Sequence, residues 1–230
     1  RLLRALRFSL QLQFTIEPHT LNTIKTMIPN LNNAIKGKRV LPYEVMAEEL
    51  LKSLVIDPVK TLNLWDEVGA VGEIMPELLK MKNCPQPDNW HTEGDVWEHT
   101  RLALEKLSSP EFKKEFPALG GSAFGGGNSS VDTETILAVL FHDAGKPYTI
   151  RTPEKDGTDR IRYDEHDTVG ADIAKKVLTR LKVAAPPEIS VKPSRVAWAV
   201  RYHMLAVHGN PADMRPTTIE KYFFSRTQPS

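Results

Sequence analysis

Apolar residues recur at helical spacing along nearly the whole chain, whereas the strict alternation of a half-buried strand is scarce. Residues 1–13 place leucines along one helix face, with Arg1, Arg4 and Arg7 at every third position beside it. Prolines stand near the starts of later periodic segments, where their missing N–H does no harm. The pattern predicts an all-α fold with helices at 1–13, 18–27, 42–54, 58–68, 70–80, 95–107, 132–143, 168–182, 193–207 and 216–225.

The stretch "MKNCPQPDNW" at 81–90 interrupts this pattern with two prolines and several polar residues. We therefore predict a boundary between a first helical region, residues 1–88, and a helical bundle, residues 89–230. The segment "GGSAFGGGNSS" at 120–130 is too rich in glycine and serine to bury a core and is interpreted as a surface loop. Residues 151–167 are expected to form a loop or a short hairpin around Asp156 and Gly157.

Composition bears on the expected membrane association, disulfides and charge of the protein. No apolar run approaches the ~18–20 residues of a membrane span, so no membrane partner is expected. Cys84 is the single cysteine, so an internal disulfide is impossible and a reducing cytoplasm is the expected compartment. The net charge of +1 argues neither for nor against binding to nucleic acid.

Several histidines share a helix face with apolar residues or stand at a helix end. His99 and His203 each fall on the apolar stripe of a predicted helix. His142 and Asp143 project from the end of the apolar segment "ILAVLFHD". His166 precedes a predicted helix N-terminus, whose free N–H groups and positive dipole favour a phosphate.

Four histidines and one aspartate distributed over four helices would form a first shell for a divalent cation. Imidazole suits Zn, Fe, Ni or Mn, and a carboxylate favours metals that keep water ligands. Such a site lowers the pKa of a bound water and neutralises a phosphoryl oxygen. The residue types are therefore compatible with a metal site that supplies hydroxide near neutral pH.

Each of these side chains also has an ordinary structural interpretation. Lys146 either holds a second phosphate oxygen or complements the dipole of the helix that Gly145 ends. His99 alone would be a satisfied core residue, and an isolated His-Asp pair would only solvate a helix end. Asp167 is interpreted as an N-cap rather than a ligand.

Four short motifs resemble the HD superfamily of metal-dependent phosphohydrolases. They are "EHT" at 98–100, "HDAGKP" at 142–147, "EHDTVGA" at 165–171 and "YHM" at 202–204. Their order and spacing are similar to the HD domain that follows bacterial tRNA nucleotidyltransferases, and "NWHTEGDVWEHT" at 89–100 is similar to the entry of that domain.

The first half resembles the same proteins independently. "RLLRALRFSLQLQFTIEPHT" at 1–20 is similar to the neck of the class II tRNA nucleotidyltransferase and bacterial poly(A) polymerase family. Residues 47–78 are similar to the helical segment that follows in that family. The resemblance therefore implies a helical neck and body, 1–88, followed by an HD-domain bundle, 89–230.

The resemblance also implies roles for individual residues. His99, His142 and Asp143 would hold a divalent metal ion, either Ni, Mn, Co, Fe or Mg, and Asp143 would also orient the attacking water. His166 and His203 would bind a second metal or a phosphate, and Lys146 would take part in catalysis.

The implied partners are nucleic acid and small phosphoesters. Arg1, Arg4 and Arg7 would contact nucleotide and RNA at the neck. Substrates would be the tRNA 3′ end, nucleotides, 2′,3′-cyclic phosphates or related phosphoesters. The alternatives are a catalytically silent RNA-binding module and a stand-alone nucleotide phosphohydrolase.

The sequence departs from the family pattern in three places. No Gly-rich catalytic head is present, so this chain is not expected to transfer nucleotides by itself. Val45 follows Glu44 where the family commonly has a base-reading arginine. The final aspartate of the HD pattern is expected beyond Ser230, since Asp213, the downstream candidate, stands too early.

Overall fold

The computed structural model describes residues 1–87, 94–116, 131–206 and 213–224. The predicted loop at 120–130, Val207 at the end of a predicted helix, and the whole of "NWHTE" at 89–93 lie outside these segments. Helices dominate the described residues, which confirms the all-α prediction. In the first half the helices are α1 (Leu2–Leu12), α2 (Pro18–Met27), α3 (Tyr43–Ile56), α4 (Pro58–Glu67), α5 (Ala70–Ile74) and α6 (Pro76–Leu79).

The second half continues with further helices. They are α7 (Val96–Lys106), α8 (Pro110–Glu115), α9 (Thr133–Phe141), α10 (Lys146–Thr149), α11 (Pro153–Asp156), α12 (His166–Leu181), α13 (Pro193–Tyr202) and α14 (Pro216–Ile219). Short 3₁₀ segments follow α2 and α13 at Ile28–Asn32 and His203–Ala206, and a π-helical turn, Glu220–Phe224, follows α14. Asp95 and Asp132 cap α7 and α9 by accepting a backbone N–H of the first turn.

A two-stranded antiparallel sheet was not predicted. Strands β1 (Ala34–Ile35) and β2 (Lys38–Arg39) pair across a turn in which Lys36 and Gly37 both have positive φ, 50° and 75°. Two central residues with positive φ are typical of a tight hairpin turn. The predicted loop or short hairpin at 151–167 is a single antiparallel bridge between Arg151 and Arg162. The segment also contains the short helix α11, which was not predicted and ends before the left-handed Gly157, φ 65°.

Three predicted helix ends are wrong, for local reasons. The helix predicted at 70–80 breaks into α5 and α6 because Pro76 begins a new helix. Helix α12 begins at His166, so Asp167 lies in its first turn and is not the N-cap. The N-cap is Glu165, which is left-handed at φ 64°. Gly145 does not end a helix, since α9 has already ended at Phe141 and the φ of Gly145 is −79°.

One continuous cluster of buried apolar side chains runs through both halves of the chain. It includes Trp65, Leu78 and Met81 before the predicted boundary and Val96 and Leu178 after it. Helix α3 packs against α1 and α4 and also against α9 and α12. The helices that carry the HD motifs are therefore fixed against the first half as well as against each other. The boundary near residue 88 stays a prediction.

A bidentate ion pair links the two halves beside this core. The guanidinium of Arg180 on α12 donates to both carboxylate oxygens of Glu77 on α6, at 2.6 and 2.9 Å, and to the carbonyl of Ile74 at 3.1 Å. Burial would raise the pKa of Glu77, but the hydrogen bonds from Arg180 outweigh it and hold the pKa below its usual 4.5. Glu77 is therefore ionised in the folded protein.

We expect Glu77→Gln to lower the free energy of unfolding by about 1–3 kcal/mol near neutral pH, because it weakens charge-assisted hydrogen bonds. Since the folded-state pKa is depressed, the ionic contribution is present above pH 4.5 and is lost as pH falls through the folded-state pKa. Urea unfolding in neutral and in acidic buffer measures the free energy of unfolding of both proteins. The difference between wild type and variant should be smaller in acid. A gap that stays constant with pH would contradict the ionic origin. Glu105→Gln, at an exposed pair with Arg101, is the control with little expected effect.

Within the described residues, no helix combines the length and the apolar character that crossing a membrane requires.

Candidate metal centre

The centre is built around Asp143, a carboxylate almost completely removed from solvent. Helix α9 is apolar and buried at Ile136, Leu137 and Leu140, and it ends at Phe141. The chain then turns, so that His142 and Asp143 leave the helix end toward the interior. Asp143 is only 2% exposed. Helix α9 therefore carries the pair into the protein, and the interpretation as a solvated helix end is wrong.

The four predicted histidines surround this carboxylate in two groups. His142 Nε2 lies 3.1 Å and His99 Nε2 3.6 Å from Asp143 Oδ2. His166 Nε2 lies 3.6 Å and His203 Nε2 4.0 Å from the other oxygen, Oδ1. Donor atoms within each group all lie within 4.8 Å of one another. The two oxygens of one carboxylate thus face two separate pairs of imidazoles.

Hydrogen bonds to backbone carbonyls fix the tautomer of three of these rings. His142 Nδ1 contacts the Val139 carbonyl at 2.7 Å, and the Nδ1 atoms of His166 and His203 contact carbonyls three residues upstream at 2.8 and 2.6 Å. A carbonyl only accepts, so each Nδ1 carries the hydrogen and donates it. Each Nε2 therefore presents its lone pair to the centre when the ring is neutral, as metal-ligating histidines do.

Two of these lone pairs point at each other. His166 Nε2 and His203 Nε2 are 3.3 Å apart, and both rings already use Nδ1 as the donor. Two neutral imidazole acceptors at that distance repel unless a proton or a cation lies between them. A divalent cation held by His166, His203 and Asp143 removes this repulsion, so the donor set fits a metal.

The electrostatics keep Asp143 ionised. Burial would raise its pKa, but the charges and hydrogen bonds of His142 and Lys146 hold it well below its usual value. Burial lowers the pKa of His142, yet attraction to Asp143 outweighs burial and the net pKa is raised. Burial is the main cause that lowers the pKa of His203. The centre therefore combines an ionised carboxylate with two imidazoles, His142 and His203, whose pKa values are shifted in opposite directions.

Lys146 lies beside the carboxylate and is itself buried. Its Nζ is 2.8 Å from Asp143 Oδ2 and donates to Gln86 Oε1 at 2.7 Å, and it lies over the ring of Tyr163 at 5.3 Å. The interpretation that Lys146 complements the dipole at the end of α9 is wrong, because the residue begins α10. Its contact with a phosphate oxygen stays a prediction.

Sequence reasoning missed Gln86 and the reason for Gly145. Gln86 lies between two prolines in the predicted boundary stretch and comes within reach of Lys146 only through the fold. A Cβ on Gly145 would lie 2.0 Å from the His166 carbonyl oxygen and 2.7 Å from the Gly170 amide nitrogen. This close approach brings the turn after α9 against the start of α12. The sequence shows Gly145 and Gly170 in their two motifs, but it does not show that they lie in contact.

Cys84 is buried nearby, and burial raises the pKa of its thiol to about 11. A neutral thiol is a poor ligand and nucleophile. Asp213 is exposed and belongs to neither group of candidate ligands among the described residues.

The three arginines of α1 lie elsewhere. Arg4 and Arg7 donate to the two oxygens of Glu49 on α3, at 3.1 and 2.7 Å, and Arg7 also contacts Gln11. Glu49 is buried, so these arginines compensate a buried charge. Arg1 and Arg4 remain exposed, whereas Arg7 is mostly covered. Their contact with nucleotide or RNA stays a prediction.

A profile of the HD domain matches residues 97–226, which include all five residues of the centre. The chain belongs to the HD domain family. The resemblance inferred from the four short motifs is confirmed.

Relatives of this HD domain chain extend the similarity into the first half. A multifunctional CCA protein of Alkalilimnicola ehrlichii is 30% identical over 211 residues, which are 90% of this chain and 42% of that protein. An A-adding tRNA nucleotidyltransferase of Deinococcus radiodurans is 29% identical over 92% of this chain and 43% of its own length. A CC-adding tRNA nucleotidyltransferase of Thermus thermophilus is 33% identical over 71% of this chain. The chain spans less than half the length of these relatives.

Proposed function

We propose that the HD domain hydrolyses phosphoesters such as 2′,3′-cyclic phosphates, with divalent metal ions held around Asp143. The observation that carries this proposal is the pair of carboxylate oxygens, each facing two imidazole Nε2 atoms within 4.0 Å. A divalent cation there would supply a water of lowered pKa and neutralise charge on a phosphoryl oxygen. Ni, Mn, Co, Fe and Mg all remain candidates.

The residues of this chain have distinct proposed roles. His99, His142 and Asp143 hold the first ion, and Asp143 also orients the attacking water. His166 and His203 hold a second ion or a phosphate oxygen. Lys146, paired with Asp143 and Gln86, keeps the carboxylate charged and oriented.

We also propose that the chain serves tRNA 3′-end processing. Its relatives include a multifunctional CCA protein and the A-adding and CC-adding tRNA nucleotidyltransferases. The exposed guanidinium groups of Arg1 and Arg4 would contact RNA or nucleotide, and a cytoplasmic location follows from a tRNA substrate. Nucleotide addition itself would belong to a longer protein of that family and is not assigned to this chain.

Metal analysis of the purified chain, together with hydrolysis of 2′,3′-cyclic AMP under added Ni, Mn, Co or Mg, tests the proposal. We expect bound metal and turnover that falls by more than about 100-fold in His142→Ala, because even outer-shell changes at metal sites cost 10–100-fold. His19→Ala, at an exposed histidine on α2, is the matched control and should leave both unchanged. Absence of metal and turnover in the wild type would favour the silent RNA-binding module.

A further inference from the structure

A cavity of about 680 Å³ opens directly onto the metal centre. His142 and His203 form one end of it, with their rings 5.5 Å apart. Asp132, Glu134 and Arg195 form the other end, where Arg195 Nη1 lies 3.3 Å from Glu134 Oε2. Helices α9 and α13 therefore run side by side in the same direction, from the polar end to the histidines. The volume is typical of a site for a small organic ligand.

The middle of the cavity is apolar and contains one large flat side chain. Ala103, Ala138 and Ala199 line it with small side chains that leave space between the helices. Trp198 contributes the aromatic surface, and its ring packs on Tyr202 at 5.4 Å between ring centres. Tyr202 in turn packs on Tyr222 at 5.2 Å. This row of rings supports the orientation of the indole.

The spacing along α13 relates the indole to the phosphate-handling end. Trp198 and His203 both line the cavity and stand five residues apart, which is about 7.5 Å along a helix axis. In a nucleotide the ribose separates the base from the phosphate, so one ligand can reach both side chains. The cavity therefore suits a ligand whose phosphate lies at the histidines and whose planar ring lies against Trp198.

The charges at the far end favour a base over a second phosphate. Asp132 and Glu134 are two carboxylates against the single guanidinium of Arg195, so an added anion would be repelled. Hydrogen-bond donors and acceptors are both present there, and the edge of a nucleobase also carries both.

We propose that this cavity binds the base of a nucleotide substrate, stacked on Trp198, while the phosphate lies at the metal centre. The inference rests on the proposed phosphohydrolase function and names its substrate class, a nucleoside monophosphate or a terminal nucleotide. Trp198 is the residue that distinguishes such substrates from phosphoesters without a base.

The test compares ligands with and without a base in the metal-loaded protein. Stacking of a base on an aromatic side chain contributes about 1–3 kcal/mol. We therefore expect Trp198→Ala to raise the KM for 2′,3′-cyclic AMP and the Kd of adenosine 2′-phosphate by about 10- to 100-fold. Hydrolysis of glycerol 2-phosphate, which has no base, should be unchanged. Trp198→Phe should retain most of the affinity, and Phe8→Ala, at an exposed aromatic residue of α1, should change neither substrate.

Adenosine, which has no phosphate, separates this inference from the proposed function. Titration calorimetry should detect weak binding of adenosine to the wild type and a loss of that binding in Trp198→Ala, whether or not any phosphoester is hydrolysed. If the wild type hydrolyses both phosphoesters but Trp198→Ala and Trp198→Phe bind adenosine and adenosine 2′-phosphate as the wild type does, the base site is overturned. An equal loss for the base-free substrate, with Trp198→Phe equally impaired, would overturn it too.

Discussion

Replacing Asp143 with asparagine is expected to abolish binding of divalent metal and to lower phosphoester hydrolysis by at least about 1000-fold. Asp143 is the one carboxylate shared by both groups of candidate ligands among the described residues, and each of its oxygens faces a different pair of histidines. An amide presents one neutral oxygen and an NH₂ group, which only donates. The variant would therefore lose the negative charge, and one of the two pairs of histidines would no longer face a carboxylate oxygen.

Metal-to-protein ratio and initial rate, measured on the same samples, decide this prediction. Asp172→Asn is the control, since Asp172 is exposed on α12 and the substitution changes the charge equally. Loss of only one of two bound ions would show that the carboxylate does not bridge the groups. Because Lys146 loses its charge partner in Asp143→Asn, circular dichroism should verify that the variant is folded.

Replacing Gly145 with alanine is expected to lower the free energy of unfolding by about 3 kcal/mol or more. The added Cβ would lie 2.0 Å from the His166 carbonyl oxygen and 2.9 Å from its carbonyl carbon. These are backbone atoms at the start of α12, so relief requires the helix to move away. His166 begins that helix, so the same movement would also separate its ring from Asp143 and reduce metal binding.

Gly72→Ala is the control, because its added Cβ makes only a mild contact. Urea unfolding compares the stability of this variant with that of Gly145→Ala. In Gly72→Ala the new Cβ would lie 3.3 Å from Leu79 Cδ1, the end of a flexible side chain, within helix α5. Alanine also favours a helix over glycine by about 1 kcal/mol, so this variant should be neutral or more stable. Equal stability of both alanine variants would show that the approach of the two backbones can relax freely.

Local signals in the sequence account for most of the fold. Helical periodicity, prolines at helix starts, and aspartates such as Asp95 and Asp132 at N-caps act within a few residues, so they placed most helices within a few positions. The hairpin around Lys36 and Gly37 was missed because its strands are only two residues long and have no alternation to detect. The start of α12 was misplaced because Glu165 caps it through a left-handed backbone rather than through a side chain.

The candidate site was predictable to the extent that its ligands stand in short motifs. The spacing of His142 and Asp143 is local, and His99 and His203 share helix faces with apolar neighbours. His166 could be chosen by its place before a helix start. Contacts between distant segments could not be read in this way. Gln86 reaches Lys146 across 60 residues of chain, and Glu49 pairs with Arg7 across 42. The first pairing requires the fold to bring α10 against the boundary stretch, and the second requires α1 to pack against α3.

The continuous core of buried side chains has a consequence for cooperativity. Because α3 packs on α9 and α12, and Trp65 and Leu178 belong to the same cluster, neither half can unfold without uncovering apolar surface on the other. The chain should therefore melt as one unit rather than as two. Cutting the chain near residue 88 would expose the apolar face of α12 to solvent. The candidate metal centre would then unfold more easily. Studies of the HD domain in isolation would then measure a loosened form of it.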